Sequence, residues 1–305
     1  MNSASVWLVA GPTACGKSAL ALALATDMGG EIVNADSMQL YSDLRVLTAR
    51  PSPADEAKVP HHLFGLADAA EAWSVGRWMA AALPILDQIV ARGRTAIVAG
   101  GTGLYFRALT QGLAAIPAVP AKVRSAVQAD YDNLGEDAFR ERLRAVDSLA
   151  AQRIAAADRQ RLTRALEVFN ATGRALSDWQ ADTTPPLAPG AWSGIVLTLP
   201  RPDLYARIEA RLEAMAAGGA RGEVAALLAR GLDGGLPAMK ALGVKSFAAE
   251  IAGRASPADA LAEAKAETRR YAKRQIAWFN HQAADWPRAD ARESPAAIGA
   301  VLRAA

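Results

Sequence analysis

The sequence predicts an α/β fold, a parallel β-sheet flanked by helices, with an all-helical insertion. Three observations predict it. An apolar run, Val6–Ala10, leads into a glycine-bearing stretch at residues 11–18 and then a helical segment at 18–25. Apolar strand candidates recur at residues 31–35, 95–99 and 194–199 with helix-period segments between them, the alternation that builds a parallel sheet covered on both faces. From about residue 112 to 190 that rhythm gives way to charged, alanine-rich helical segments with no convincing strand.

Taken in order, residues 11–18, "GPTACGKS", fit G-x-x-x-x-G-K-[ST] without a gap, which makes the core P-loop NTPase-like. Gly11, Pro12, Thr13, Ala14, Cys15, Gly16, Lys17 and Ser18 are therefore the candidate phosphate holders. The glycines let the backbone form a nest of N–H donors at a helix N-terminus, where the macrodipole also favours anions. Lys17 adds a point charge and Ser18 offers a hydroxyl to magnesium. The motif specifies a polyphosphate, not ATP in particular.

With 305 residues, 51% of them hydrophobic, the chain can bury a sizeable core, and one large domain with an elaboration is expected. No stretch approaches the ~20 apolar residues of a membrane span. The start, "MNSAS", lacks a secretory signal, so the cytoplasm is expected. A single cysteine excludes an intramolecular disulfide, and with only three histidines a structural zinc site is not expected; Cys15 reads as a small filler in the loop. The balance of 34 basic to 31 acidic residues gives no argument for nucleic-acid binding. Local clustering is more informative: Lys265, Arg269, Arg270, Lys273, Arg274 and Arg288 face only Glu267 and Asp285, so the C-terminal helix is either a polyanion surface or a solvated face.

The second strand runs into "VNADSMQLY", which puts Asp36 at the strand's C-terminal edge, where open parallel sheets bind ligands. Asp36 reads either as a further group near a loop-bound magnesium ion or as a general base beside the polyphosphate. The third strand runs into "AGGTGLYFRAL" at the same edge, so Thr102 is expected near Asp36. No acid pairs with a strand in the manner of NTP hydrolysis, and no switch-like glutamine or lid is evident. Motor and switch readings lose ground; small-molecule kinases stay open.

The insertion is expected at residues 115–190, with the core at 1–114 and 191–305; "AIPAVP" opens it and "TTPPLAPG" closes it. Within it, Leu162, Leu166 and Phe169 form a buried stripe that leaves Gln160, Arg161 and Arg164 outward. In "YARIEARLEAM", Ile208, Leu212 and Met215 are buried, and Arg207 and Arg211 share one side, to clamp a phosphate or to bridge to acids beside Glu209. Arg269, Arg270, Lys273 and Arg274 are placed on one face of the last helix, with Trp278 and Phe279 just beyond. His61 and His62 are adjacent, which suits a structural or gating role better than a shared metal.

The blocks "GPTACGKS", "NADSMQLY", "TARPS", "VPHHL", "GGTGLYFRAL", "DRQRLTRALEVFNATGR", "MKALGVKSF" and "YAKRQIAWF", in this order across nearly the whole chain, resemble the tRNA dimethylallyltransferases, or tRNA isopentenyltransferases. The resemblance implies that the loop holds dimethylallyl diphosphate with magnesium on Ser18, and that the prenyl group goes to N6 of the adenine at tRNA position 37. It implies Asp36 as the base, with Lys17 and Arg211 stabilising the leaving diphosphate and Thr102 near the target base. Ser37, Met38 and Gln39 would line the base pocket. Arg124, Gln160, Arg161, Leu162, Thr163, Arg164, Lys240, Gly243, Lys245, Lys273 and Arg274 would contact RNA. The anticodon stem-loop of tRNA is the implied partner, no membrane is implied, and a monomer is expected. The chain departs from the family pattern at Leu47 to Pro51, at Val244 in place of a tyrosine, and at Ile154 to Asp158. Competing readings are a small-molecule kinase, which leaves the insertion unexplained, an RNA-binding regulator with a vestigial loop, and an enzyme that prenylates free adenine nucleotides.

Overall fold

The computed structural model describes residues 5–304. They fall into two compact units, one built from the chain up to Thr110 and from Leu187 onward, the other Gln111–Pro186.

In the first unit six strands, β1 (Val6–Ala10), β2 (Glu31–Asn34), β3 (His61–His62), β4 (Ala96–Gly100), β5 (Trp192–Thr198) and β6 (Arg288–Asp290), form one sheet in the order β3-β2-β4-β1-β5-β6. Every pairing is parallel. β1 and β4 are buried along their whole length, as continuous apolar runs in a doubly covered sheet should be. The helices of this unit are α1 (Lys17–Met28), α2 (Pro53–Glu56), α3 (Val75–Ala91), α4 (Gly103–Gln111, which ends one residue beyond the boundary), α9 (Arg201–Ala217), α10 (Ala220–Ala229), α11 (Val244–Ile251), α12 (Pro257–Gln282) and α13 (Pro295–Ala304). Register decides where the chemistry falls. Ala10 pairs with Gly100 and Asn34 with Ala99, so the chain leaves β1, β2 and β4 at one level and on one edge.

The second unit holds α5 (Ala121–Val146), α6 (Ser148–Arg153), α7 (Arg159–Thr172) and α8 (Leu176–Ala181), and no strand among the described residues. Val127, Phe139, Leu143, Leu162 and Leu166 form its core. Asp147 caps α6 by accepting the Ala150 N–H at 2.9 Å and also takes the Ser177 N–H at 3.0 Å. Asp158 caps α7 through the Arg161 N–H at 3.1 Å.

Three expectations change. β3 and β6 were not foreseen, because two and three residues respectively, with His61, His62, Arg288 and Asp290 among them, carry no apolar run. Arg288 therefore lies on a strand beyond the helix. It donates to the carbonyls of Ala283, Trp286 and Phe279, which caps α12, and the residue itself stays exposed. On α7, Ala165 and Val168 are fully buried while Phe169 is only half-buried, so the stripe lies closer to Val168 than the spacing suggested.

Candidate active site

The loop after β1 has the conformation a phosphate nest requires. Gly16 stands at φ 105° before α1, and Ala14, not a glycine, also lies in the left-handed region at φ 65°. A non-glycine residue held there costs of order 1 kcal/mol or more, and such strain concentrates where backbone N–H groups must converge on a ligand. Lys17 Nζ donates to the Pro12 carbonyl at 2.7 Å.

α9 delivers two arginines to this loop. Arg211 Nη2 donates to the Thr13 hydroxyl at 2.6 Å, and Arg207 Nη1 donates to the Cys15 carbonyl at 3.4 Å. The alternative of bridging to acids beside Glu209 is not what the described residues show: neither arginine forms an ion pair, and Glu209 pairs with Arg269 at 2.7 Å and Glu213 with Lys265 at 2.5 Å. Arg211 Nε is buried with no hydrogen-bond partner. Burial pushes the Arg211 guanidinium below its ordinary pKa, and the charges of Asp36 and Cys15 oppose that shift.

Beyond β2, Asn34 builds the turn that presents Asp36. Its Oδ1 accepts the Asp36 N–H at 2.7 Å, and its Nδ2 donates to the carbonyls of Asp36 and Leu63, both at 2.9 Å. Asp36 Oδ1 accepts the Met38 N–H at 3.0 Å. Thr102, beyond β4, is tied to this turn: its hydroxyl accepts the Ser37 N–H at 3.0 Å and its own N–H donates to the Ala35 carbonyl at 3.1 Å. Asp36 also acts on two phenols, the buried Tyr105 and the partly buried Tyr271. Tyr271 and Tyr105 are both held above the ordinary phenol range, by burial first and the Asp36 charge second. Gln39 Nε2 donates to the Thr48 and Ala49 carbonyls at 2.9 and 3.1 Å, which fixes the departing segment at residues 47–51 against the turn. That segment is itself held by Glu223, whose carboxylate accepts the N–H groups of Arg45, Val46 and Leu47.

Of these parts, Thr13, Ala14, Gly16, Lys17, Ser18, Asp36, Gln39 and Arg211 line one cavity of about 410 Å³ together with the apolar Leu22, Ile32 and Phe64, while Ser37, Met38 and Thr102 are not among its lining residues. Gly11, Pro12 and Cys15 are buried and do not line it, so they shape the loop. His61 lines the cavity, while His62 Nε2 pairs with the buried Glu31 Oε2 at 2.7 Å and anchors the edge strand.

The remaining sequence-predicted residues separate into groups. Lys240, Lys245 and Arg274 line a second hollow of about 580 Å³ with Arg270 and Glu267, and Lys273 is exposed nearby on α12. Gly243 is buried and caps α11 at φ 85°, and Val244 is buried in the first turn. Of the cluster on α12, Lys265, Arg269 and Arg270 pair with Glu213, Glu209 and Glu263, which leaves Lys273 and Arg274 without an acidic partner among the described residues. In the second unit Arg124, Gln160 and Arg161 are exposed, and Arg164 is partly exposed. Leu162 and Thr163, expected at RNA, are buried: Leu162 belongs to the unit's core, and the Thr163 hydroxyl donates back to Arg159. A continuous motif block does not reveal which of its residues turn inward.

Sequence reasoning missed Gln275. It is buried in α12 and bonded to Thr13 and to Gly101. The signal was present: a lone amide on the inward row of Thr268, Ala272, Gln275 and Phe279.

A model of the IPP transferase family matches residues 39–282, and a model of isopentenyl transferases matches residues 4–61. A tRNA dimethylallyltransferase of Phenylobacterium zucineum is 61% identical over 283 residues, 93% of this chain and 92% of that one. One of a Caulobacter species is 57% identical over 290 residues, 95% and 94% of the two chains. Among solved structures, the full-length tRNA isopentenylpyrophosphate transferase of Bacillus halodurans aligns with TM-score 0.70 at 29% identity, covering 98% of this chain and 96% of that one. A eukaryotic dimethylallyltransferase, described as acting on tRNA, aligns with TM-score 0.84 at 25% identity, covering 98% of this chain and 78% of the other.

Proposed function

This chain belongs to the IPP transferase family, and on that premise we propose that it transfers the dimethylallyl group of dimethylallyl diphosphate to N6 of the adenine at tRNA position 37, giving N6-(dimethylallyl)adenosine and diphosphate. The observation that carries the reading is the opening of Asp36, Lys17, Ser18 and Arg211 onto one cavity, which a carboxylate and a phosphate nest therefore share.

The exocyclic amine of adenine is a poor nucleophile, because its lone pair is delocalised into the ring. As N6 bonds to C1 of the prenyl chain, the C1–O bond breaks, the diphosphate leaves with the electron pair, and Asp36 takes the N6 proton. No phosphoryl group moves. The loop N–H groups, Lys17 and Arg211 stabilise the charge that gathers on the diphosphate. The buried, unpartnered Arg211 Nε supports this role, being a donor in want of an acceptor. Leu22, Ile32 and Phe64 add apolar lining suited to a prenyl chain.

Magnesium fits the donors present. Among the described residues no group of three or more acids, histidines or cysteines could cage a metal ion. The Ser18 hydroxyl and the Asp36 carboxylate supply oxygen to the same cavity, and magnesium characteristically takes few protein ligands beside substrate phosphates and water. Ser18 would hold the ion, with Asp36 near it, and when bound it would neutralise diphosphate charge.

Adenine-37 must leave its stack to reach Asp36, at a cost of about a few kcal/mol. Contacts of Lys240, Lys245, Lys273 and Arg274, and of Arg124, Gln160, Arg161 and Arg164 in the helical unit, with the anticodon stem-loop would offset it. Ser37, Met38, Gln39 and Thr102 would receive the base. Among the described residues no helix is long and apolar enough to cross a membrane. The reading includes a cytoplasmic monomer.

The test follows labelled dimethylallyl diphosphate with magnesium and either bulk tRNA or AMP, with ATP present and monitored. Label in tRNA, one diphosphate released per modified adenine and intact ATP are expected. Labelled AMP would favour a nucleotide prenyltransferase, and ADP formed in proportion to product would establish a kinase instead.

A further inference from the structure

The phosphate loop and the loop that carries Thr102 are held by one side chain. Gln275, about two turns from the C-terminal end of α12, is 5% exposed. Its Oε1 accepts the Thr13 N–H at 2.8 Å, and its Nε2 donates to the Gly101 carbonyl at 2.8 Å. The amide can face only one way, since an N–H needs the oxygen and a carbonyl needs the nitrogen. Gly101 is bare where Gln275 arrives: a Cβ there would stand 2.2 Å from Nε2, and it could not be accommodated without displacing the amide.

Each partner leads directly to the chemistry. Thr13 lies in the phosphate loop, with its hydroxyl held by Arg211 at 2.6 Å. Gly101 precedes Thr102, whose hydroxyl accepts the Ser37 N–H beside Asp36 at 3.0 Å. On the same helix, the two residues before Gln275, Lys273 and Arg274, are exposed. The inward row otherwise packs with alanine, threonine and phenylalanine, so burial alone does not call for an amide.

We propose that Gln275 is a positioning residue for prenyl transfer, which fixes the separation between the diphosphate cradle and the loop of Thr102 with the Asp36 turn tied to it. The inference rests on the prenyl-transfer reading of the site. Gln275 touches neither reacting group and acts through the backbone of two loops. Displacement at carbon demands near-attack geometry, and a misplacement of about 1 Å costs on the order of 100-fold in rate. A core amide that joins the two loops is the economical way to hold that geometry from behind.

The experiment uses the full chain with labelled dimethylallyl diphosphate and tRNA, and two variants. Gln275→Met keeps length and removes both hydrogen bonds: kcat should fall roughly 30-fold or more, while KM for dimethylallyl diphosphate and the tRNA Kd stay within about threefold. Gln275→Glu keeps an acceptor for Thr13 but turns a carboxylate oxygen against the Gly101 carbonyl; protonation restores the missing donor. Its single-turnover rate relative to wild type should therefore be low at pH 8 and rise at least about fivefold by pH 6, a response that a purely structural role would not give. A methionine variant within threefold of the wild-type kcat, or a glutamate ratio flat between pH 6 and 8, overturns the proposal. Should the methionine variant not fold, the glutamate ratio decides alone. If wild type transfers no label to tRNA, the functional reading fails; if wild type is active and the variants equal it, only the role of Gln275 fails.

Discussion

Arg211 donates from Nη2 to the Thr13 hydroxyl at 2.6 Å, although 198 positions separate them in the chain. The contact places a partly buried cation against the phosphate loop and leaves the buried Arg211 Nε without an acceptor. Binding of an anion there should stabilise the fold by mass action, by about 2.7 kcal/mol at a hundred times Kd. Inorganic diphosphate with magnesium is therefore expected to raise the wild-type Tm, and Arg211→Ala should lose much of that rise and about 100-fold in kcat. An equal rise in the variant would detach Arg211 from the diphosphate.

Asp36→Asn preserves shape while removing the base. Turnover should fall roughly 100-fold or more with the tRNA Kd retained, because the Met38 N–H still finds an oxygen at that position. Near-normal turnover at neutral pH would remove Asp36 from proton transfer.

Arg161 and Arg164 should behave differently. Arg161 is paired with Asp158 at 2.6 Å on a side chain 75% exposed, so Arg161→Ala should weaken tRNA binding and reduce the slope of log K against log salt by about one unit, with Tm unchanged. Arg164 stands 3.7 Å from the buried Glu167, which also accepts from Gln128 at 3.1 Å. Arg164→Ala should lower Tm as well, since a buried carboxylate loses its cation. Equal effects of both variants on Tm and slope would contradict the division.

Glu31 is a pH probe of the sheet edge. Burial alone would raise its pKa, but hydrogen bonds from His62 and Arg92, followed by their charges, hold it below the ordinary 4.5. A depressed carboxyl stabilises the fold above its unfolded pKa and loses that contribution as pH falls through the folded value, so the window lies below pH 4.5. Glu31→Gln should cost about 1–3 kcal/mol at pH 7. The gap between variant and wild type should narrow as melts are taken toward pH 3; a constant gap would mean the charge is irrelevant.

Local signals in the chain suffice for the phosphate loop and the four long strands. An apolar run followed by G-x-x-x-x-G-K-[ST] describes strand, nest and helix together, because each is made by contacts between near neighbours. Asp36 and Thr102 were legible for a related reason: parallel strands deliver their C-terminal ends to one edge, so a polar residue just past an apolar run faces the ligand side. β3 and β6 were not legible, since so short a strand exists only through the neighbour it pairs with.

What the sequence by itself determined is thus the class of fold, the polyphosphate nest and the family. Tertiary structure alone decided which cations stay free and which polar groups hold the loops. By helix periodicity alone Arg211 and Arg269 both fall outside a buried stripe, and it is the family resemblance that singles out Arg211; in the structure one donates to Thr13 of the phosphate loop and the other is neutralised by Glu209. Gln275 reads as one more residue after the basic pair Lys273 and Arg274 and proves to be buried against Thr13 and Gly101. The reason is physical: periodicity gives the direction of a side chain relative to its own helix, whereas the partner that satisfies a buried polar group is chosen by packing between segments far apart in the chain.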